Sequence, residues 1–239
     1  MKTAVKFSVI IPVYNEKTTL PLILERVQKE KPTEIIIVDD HSTDGTEEFL
    51  SSGGGSAVGG KTHLFKNVKV VRHERNSGKG AAVRTGIQNS TQEIVLIQDA
   101  DLEYDPAEYE RLLQPIADNK ADVVYGSRFI GSSPHRVMFF WHFIGNRLLT
   151  LLCNIASNLN LTDMETGFKA FRKKALDSIK LEESDFGFEP EVTIKLARAG
   201  WRFYEIGISY HGRDYNEGKK IRWTDGVKAV AVILKYWLN

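Results

Sequence analysis

IVLIQDADLEYDP, Ile94 to Pro106, reads as a strand that runs straight into acids. Its unbroken apolar start fits a strand buried on both faces, the habit of parallel sheets. Asp99, Asp101 and Glu103 follow at intervals of two, so extended backbone through Asp101 would turn all three to one side. Working outward, the pattern recurs in FSVIIPV (Phe7–Val13), EIIIVDD (Glu34–Asp40), VKVVRH (Val68–His73) and DVVYGS (Asp122–Ser127). Helical stretches at about Thr18–Lys29, Lys79–Gln88 and Pro106–Asp118 separate them. Strands alternating with helices in this rhythm predict an open, mostly parallel α/β sheet flanked by helices, with the ligand site at the carboxyl ends of the strands.

Acids collect where that site should be: Asp39 and Asp40 after the second strand, Asp99 and Asp101 after the fourth, and Asn15 with Glu16 just past the first. Carboxylates gathered at one sheet edge repel one another, so a metal ion or a polar ligand is implied. An all-oxygen set selects Mg²⁺ or Mn²⁺ over zinc. Taken alone, Asp99 and Asp101 serve equally well as caps of the helix beginning near Pro106.

The chain has 239 residues, which suits one domain over 1–239. With 32 Lys and Arg against 31 Asp and Glu, there is no basic surplus to bind nucleic acid. One cysteine, Cys153, excludes an internal disulfide and a cysteine metal cluster, pointing to a reducing, cytoplasmic compartment. Every stretch of eighteen residues carries charge, so no conventional membrane span is expected. The apolar run near the start is too short for a signal-peptide core and is expected to be the first strand. The glycine-rich segment 51–60 predicts a flexible surface loop.

The runs SVIIPVYNE, EIIIVDDHSTDGT, NSGKGAAVRTGI, IVLIQDADLEYDP and VVYGSRF, in this order, resemble glycosyltransferase family 2 with its GT-A nucleotide-sugar-binding fold. DMETGFKAFRKKAL and FGFEPEVTIKLARAGWRFYEIGISYHGR are similar to its polyprenyl-phosphate branch, which includes the dolichyl-phosphate mannose and glucose synthases. The resemblance covers about Phe7 to Trp223. It implies an inverting, metal-dependent hexosyltransferase that takes a nucleotide sugar, UDP-linked by a slight preference over GDP-mannose, and delivers the hexose to a polyprenyl phosphate.

By that resemblance Pro12, Tyr14, Glu16, Asp39 and Asp40 would hold the nucleoside, a carboxylate accepting a ring N–H of the base. Lys79 in NSGKG would face the donor from a helix start. Asp99, Asp101 and Glu103 would bind the metal, although mannose-type relatives often carry Gln where Glu103 stands. Arg128 would bind the acceptor phosphate, with Arg136, His142 and Arg147 as candidates for a second cation. Asp101, Arg128 and Asp163 form the implied catalytic set. Asp163 and Thr166 would contact the donor or order their loop, and Arg213 and Lys219 would close over the pyrophosphate. Glu189 and Glu191 fit either sugar hydroxyls or simple charges at a helix N-terminus. Were the acceptor a saccharide hydroxyl, one of these two acids would have to serve as base. A catalytically silent nucleotide-sugar-binding subunit is the remaining alternative.

From Ile144 to Asn158 the polarity is one-sided. Asn146, Arg147, Thr150, Asn154, Ser157 and Asn158 share one arc, opposite Ile144, Leu148, Leu149, Leu151, Leu152, Ile155 and Ala156. A helix packed on the sheet and a helix lying in a membrane interface both fit this pattern. A lipid acceptor favours the second, so 134–160 is expected to make peripheral contact with the cytosolic face, with a membrane-anchor subunit as a further candidate partner.

Overall fold

The computed structural model describes residues 5–52, 67–131, 136–213 and 223–238. Seven strands form one sheet: β1 (Phe7–Val13), β2 (Glu34–Asp39), β3 (Val68–Arg72), β4 (Ile94–Ile97), β5 (Val123–Ser127), β6 (Lys169–Arg172) and β7 (Phe203–Gly207). The helices are α1 (Leu20–Lys29), α2 (Thr46–Ser51), α3 (Lys79–Asn89), α4 (Tyr109–Ala117), α5 (Phe140–Ser157), α6 (Lys173–Asp177), α7 (Phe188–Arg198) and α8 (Trp223–Leu238). Strand order is β3-β2-β1-β4-β6-β5-β7. All pairings are parallel except those of β6, which runs antiparallel to β4 and β5. The mostly parallel sheet expected from the apolar runs is thus present.

Alternation along β1 divides the core. Val9 and Ile11 face α1 and α4 on one side, while Ile10 faces α3, α7 and α8 on the other. Both layers are apolar and closed to water, which explains why the strand reads as an unbroken hydrophobic run.

The cleft follows from the pairing register. β1 pairs with β2 through Val13, but with β4 only from Phe7 to Ile10. Pro12, which has no N–H to donate, stands beyond the last β4 pair, where a missing donor breaks no ladder on that side. The chain leaves β1 toward β2 and β3, then crosses to β4 on the opposite side, and ligand sites open at such a reversal.

β6 was not anticipated, because its four residues, KAFR, carry too little apolar sequence to announce a strand. β4 stops at Ile97, and the acids after it lie on a turn in which Leu102 has φ of 66°. Buried Gln98 ends the strand, accepting from the Tyr109 hydroxyl and donating to the carbonyls of Asp99 and Tyr104. The even spacing of Asp99, Asp101 and Glu103 therefore does not give them a shared strand face. Finally, α5 begins at Phe140, four residues before the expected start. Of the glycine-rich segment, Ser51 ends α2, and 53–60 lie outside the described residues, as do Lys219 and residues 134 and 135.

Candidate active site

A cavity of about 1140 Å³ opens where β1 and β4 part. Pro12, Tyr14 and Glu16 line it from the end of β1, Asp99, Asp101 and Glu103 from the turn after β4, and Lys79 from the start of α3. Asp40 reaches it too, but its carboxylate is already engaged. It accepts from the backbone N–H groups of Ser77 and Gly78 at 2.8 Å each and pairs with His73 at 2.7 Å, so it fixes the loop leading to Lys79. Asp39 differs from expectation: it is absent from the cavity wall, and its buried carboxylate accepts from Ser42 N–H and faces Arg72 at 3.7 Å. As the last residue of β2 it points, by strand alternation, away from its neighbour Asp40.

Two cations thread the acids. Lys79 Nζ lies 2.9 Å from Asp99 and 3.5 Å from Glu189. Burial by itself would lower the Lys79 pKa, but Asp99 and then Glu189 outweigh it and the group stays charged. Arg213 lies 3.1 Å from Glu16 and 3.3 Å from Asp101. Burial, followed by the charges of Asp99 and Glu103, nonetheless pushes Asp101 up to about 7. Negative charge is in excess here even with both cations in place.

Those acids suit a hard divalent cation, with one correction. Among the described residues, no group of three or more acids, histidines or cysteines is arranged as a ready metal site. Glu103 is turned aside, its Oε2 accepting from the Tyr210 hydroxyl at 3.0 Å and its Oε1 from Arg213 N–H at 2.7 Å. Asp99 and Asp101 remain, and Mg²⁺ is commonly held by one or two carboxylates together with substrate phosphates. The two-carboxylate set fits that habit.

Arg128, just past β5, is gripped by Asp163 through Nε and Nη2 at 2.7 Å each and through its own N–H at 3.0 Å. Its guanidinium also lies 5.3 Å from the Tyr210 ring centre. Asp163 is wholly buried and absent from the cavity wall, and its carboxylate is taken up by Arg128. Thr166 is buried as well, and its hydroxyl accepts from Phe168 N–H, ordering the loop. Arg128 borders both the large cavity and an apolar groove of about 370 Å³, walled by Phe129, Val137, Met138, Phe140 and Phe143. Arg136 lines that groove and donates to Gly212 O, and His142 lines the main cavity. Arg147 lines neither and is exposed.

The inner face of α5 is mixed: Thr150, Cys153, Ala156 and Ser157 are buried, with Leu149 and Leu152 packed on the core, while Arg147 and Asn158 of the polar arc stay exposed. Thr150 accepts from Met164 N–H, and Asn154 both donates to Leu161 O and accepts from Leu161 N–H. Part of the apolar arc faces outward: Leu148, Leu151 and Ile155 are each more than half exposed, and Trp141 near the helix start is 78% exposed. In α8, Val227, Leu234, Trp237 and Leu238 are exposed likewise. No described helix is long and apolar enough to cross a membrane.

Glu191, held open in the sequence as a base, is engaged elsewhere. It accepts from Glu182 and Glu183 N–H, from Lys195 and from the Tyr236 hydroxyl, tying α7 to its preceding loop. Two residues on the cavity wall escaped the sequence reading. Tyr104, stacked on Phe168, accepts from Gly167 N–H through its hydroxyl. Glu165 stands between Asp163 and Gly167 in DMETGF, and nothing in the sequence pattern separates it from an ordinary loop acid.

Residues 8–180 match the family described as Glycosyl transferase family 2. An undecaprenyl-phosphate mannosyltransferase of Micrococcus luteus is 30% identical over 234 residues, covering 94% of this chain and 90% of the relative. An undecaprenyl-phosphate 4-deoxy-4-formamido-L-arabinose transferase of Yersinia enterocolitica is 27% identical over 90% of this chain. The chain spans 62% of that relative's length. The glucosyl-3-phosphoglycerate synthase of Mycobacterium tuberculosis, solved with Mn²⁺, UDP and phosphoglyceric acid, superposes with a TM-score of 0.72. That match covers 98% of this chain and 79% of the synthase at 19% identity, and it shows a shared fold.

Proposed function

The chain belongs to glycosyltransferase family 2 and is a glycosyltransferase of GT-A fold, and from that premise we propose that it transfers a hexose from a nucleotide sugar to a polyprenyl phosphate with inversion at the anomeric carbon. One observation carries the acceptor class: Arg128 is a buried cation at the junction of an acid-lined polar cavity and an apolar groove. A phosphate on an isoprenoid asks for that pairing, charge on one side and hydrocarbon on the other. The named activities of the Micrococcus and Yersinia relatives support the same acceptor class.

A phosphate monoester has a second pKa of about 6 and is largely a dianion near neutrality, so no strong base is required. Arg128 holds that nucleophile against the anomeric carbon. A phosphate oxygen forms the new bond to that carbon from one face while the bond to the nucleoside diphosphate breaks on the other. Asp99 and Asp101 would hold Mg²⁺ or Mn²⁺, which when bound neutralises charge developing on the departing diphosphate. Lys79 and Arg213 add positive charge beside those acids. Pro12, Tyr14, Glu16 and Asp40 form the nucleoside end. A UDP-linked hexose is the favoured donor and GDP-mannose the alternative; UDP in the neighbour of the same fold supports the first, and the mannosyltransferase name of the Micrococcus relative supports the second.

The lipid acceptor stays in its bilayer, so the protein must come to it. The outward apolar face of α5, whose Phe140 and Phe143 wall the Arg128 groove, together with that of α8, supports peripheral docking on the cytosolic leaflet. The test is a panel of UDP- and GDP-sugars incubated with a short polyprenyl phosphate and Mg²⁺ or Mn²⁺, with products identified by mass. A polyprenyl phosphohexose made by wild type and lost in Asp99→Asn supports the reading. Product only on saccharide hydroxyls, or none with any donor, overturns it.

A further inference from the structure

Tyr210, just after β7, is 5% exposed and lines both the main cavity and the apolar groove, a position shared among the described residues only by Arg128 and Met138. The Arg128 guanidinium lies 5.3 Å from its ring centre, within the range of a cation–π contact. Its hydroxyl donates to Glu103 Oε2 at 3.0 Å, on the turn after β4 that also carries Asp99 and Asp101. One side chain thus touches both the cation assigned to the acceptor phosphate and the turn assigned to the metal and diphosphate.

The backbone around Tyr210 is fastened on two sides. Toward the acids, Glu103 accepts from His211 N–H through its carbonyl at 3.0 Å and from Arg213 N–H through Oε1 at 2.7 Å. Toward the groove, Tyr210 O accepts from Arg136 N–H at 2.9 Å, and Gly212 O accepts from Arg136 Nη1 at 2.7 Å. A Cβ at Gly212 would stand 2.6 Å from the Tyr210 ring, so only glycine lets the chain fold back over it. Tyr104 packs on the ring as well, at 5.7 Å between centres. A ring held at this many points has little freedom to move and acts as a spacer of fixed length. Arg128 has use for one. Asp163 grips Nε and Nη2 within the guanidinium plane, and a two-point grip still lets the group tilt about the line joining its contacts. The Tyr210 ring resists that tilt, as does Phe129 with its ring centre 5.7 Å away. Of the five N–H donors of a guanidinium, those not spent on Asp163 serve a phosphate only when the plane is aimed at it.

We propose that Tyr210 is a positioning residue that sets the distance between the acceptor phosphate on Arg128 and the donor diphosphate at Asp99 and Asp101, its ring placing Arg128 and its hydroxyl tying that ring to the donor turn. The inference rests on the proposed transfer reaction. Wild type, Tyr210→Phe, Tyr210→Leu and Arg128→Met are compared in three measurements: affinity for farnesyl phosphate and affinity for UDP with Mg²⁺, both by calorimetry, and the single-turnover rate of transfer to farnesyl phosphate at saturating substrates. Tyr210→Phe keeps the ring and loses the tie, so both affinities should stay within about twofold of wild type while the rate falls about 10- to 100-fold, the scale of a small misplacement of reacting groups. Tyr210→Leu loses the ring too, so farnesyl phosphate should also bind about 3- to 30-fold more weakly, the range of a cation–π contact, with UDP affinity held. A wild-type rate in Tyr210→Phe overturns the assignment. So does a loss of UDP affinity in that variant as large as its loss of rate, which a merely structural role would give. If Arg128→Met weakens farnesyl phosphate binding and Tyr210→Leu does not, the inference fails and the acceptor reading stands. If neither variant weakens it, or wild type shows no turnover, the acceptor reading fails and takes the inference with it. Should Tyr210→Leu not fold, as judged by circular dichroism, Tyr210→Phe, which lacks one oxygen, still decides.

Discussion

Replacing Asp163 by alanine removes the three contacts, at 2.7, 2.7 and 3.0 Å, that hold Arg128. The guanidinium is only 9% exposed, so it cannot rehydrate in place. Removing one partner of a buried ion pair costs about 3–5 kcal/mol, because the other charge stays uncompensated. A protein of this size loses about 2–4 °C per kcal/mol, which sets the fall in Tm at about 6–20 °C. Adding Arg128→Met leaves no stranded charge, so the double variant should melt well above Asp163→Ala alone. Transfer to a polyprenyl phosphate should be equally low in Arg128→Met and in the double variant, because Asp163 acts only through Arg128. Thermal melts and single-turnover transfer assays on the three variants complete the cycle. A Tm within about 2 °C of wild type for Asp163→Ala would refute the clamp. A further loss of about tenfold or more in the double variant relative to Arg128→Met would show that Asp163 touches substrate directly.

Three other outcomes are expected. Asp101 is pushed up to about 7 by burial and by Asp99 and Glu103. A raised carboxyl holds its proton more tightly when folded, so its contribution to stability is complete below about pH 4 and is lost as pH rises toward about 7. In chelator, Asp101→Asn should therefore melt higher than wild type at about pH 8 and equal to it at about pH 4, while transfer with metal is abolished; equal melting at both values counts against the crowding of acids. Gly167→Ala places a methyl on the Asp99 carboxylate, so Mn²⁺-dependent UDP binding should drop with little change in the circular dichroism spectrum. Normal binding in that variant means the loop has room to spare. Leu148→Ser with Leu151→Ser removes two side chains that are each about half exposed. With about 1.5–3 kcal/mol for full burial of each, the pair should weaken liposome co-sedimentation by about tenfold or more and be little affected by salt. Unchanged sedimentation rules out α5 as the contact.

The sequence by itself determined the sheet and the edge on which the chemistry lies. FSVIIPV, EIIIVDD and IVLIQDAD had to be two-sided buried strands, and their terminal acids had to meet at one edge once the strands ran parallel. Local pattern is enough there, because burial on both faces is written in consecutive residues. Tertiary structure decided which of two adjacent acids reaches the cavity, since Asp39 and Asp40 are alike in sequence and differ only in which side of the sheet they face. It decided that Asp163 serves Arg128 and that Glu191 serves its own helix, because partners 35 residues away, or on a neighbouring loop, leave no local signature. It also decided the orientation of α5. Periodicity shows that a helix has two faces, but only the Met164 and Leu161 backbone groups that meet Thr150 and Asn154, with core contacts for Cys153 and Ala156, fixed which residues turn inward and left Leu148, Leu151 and Ile155 outside.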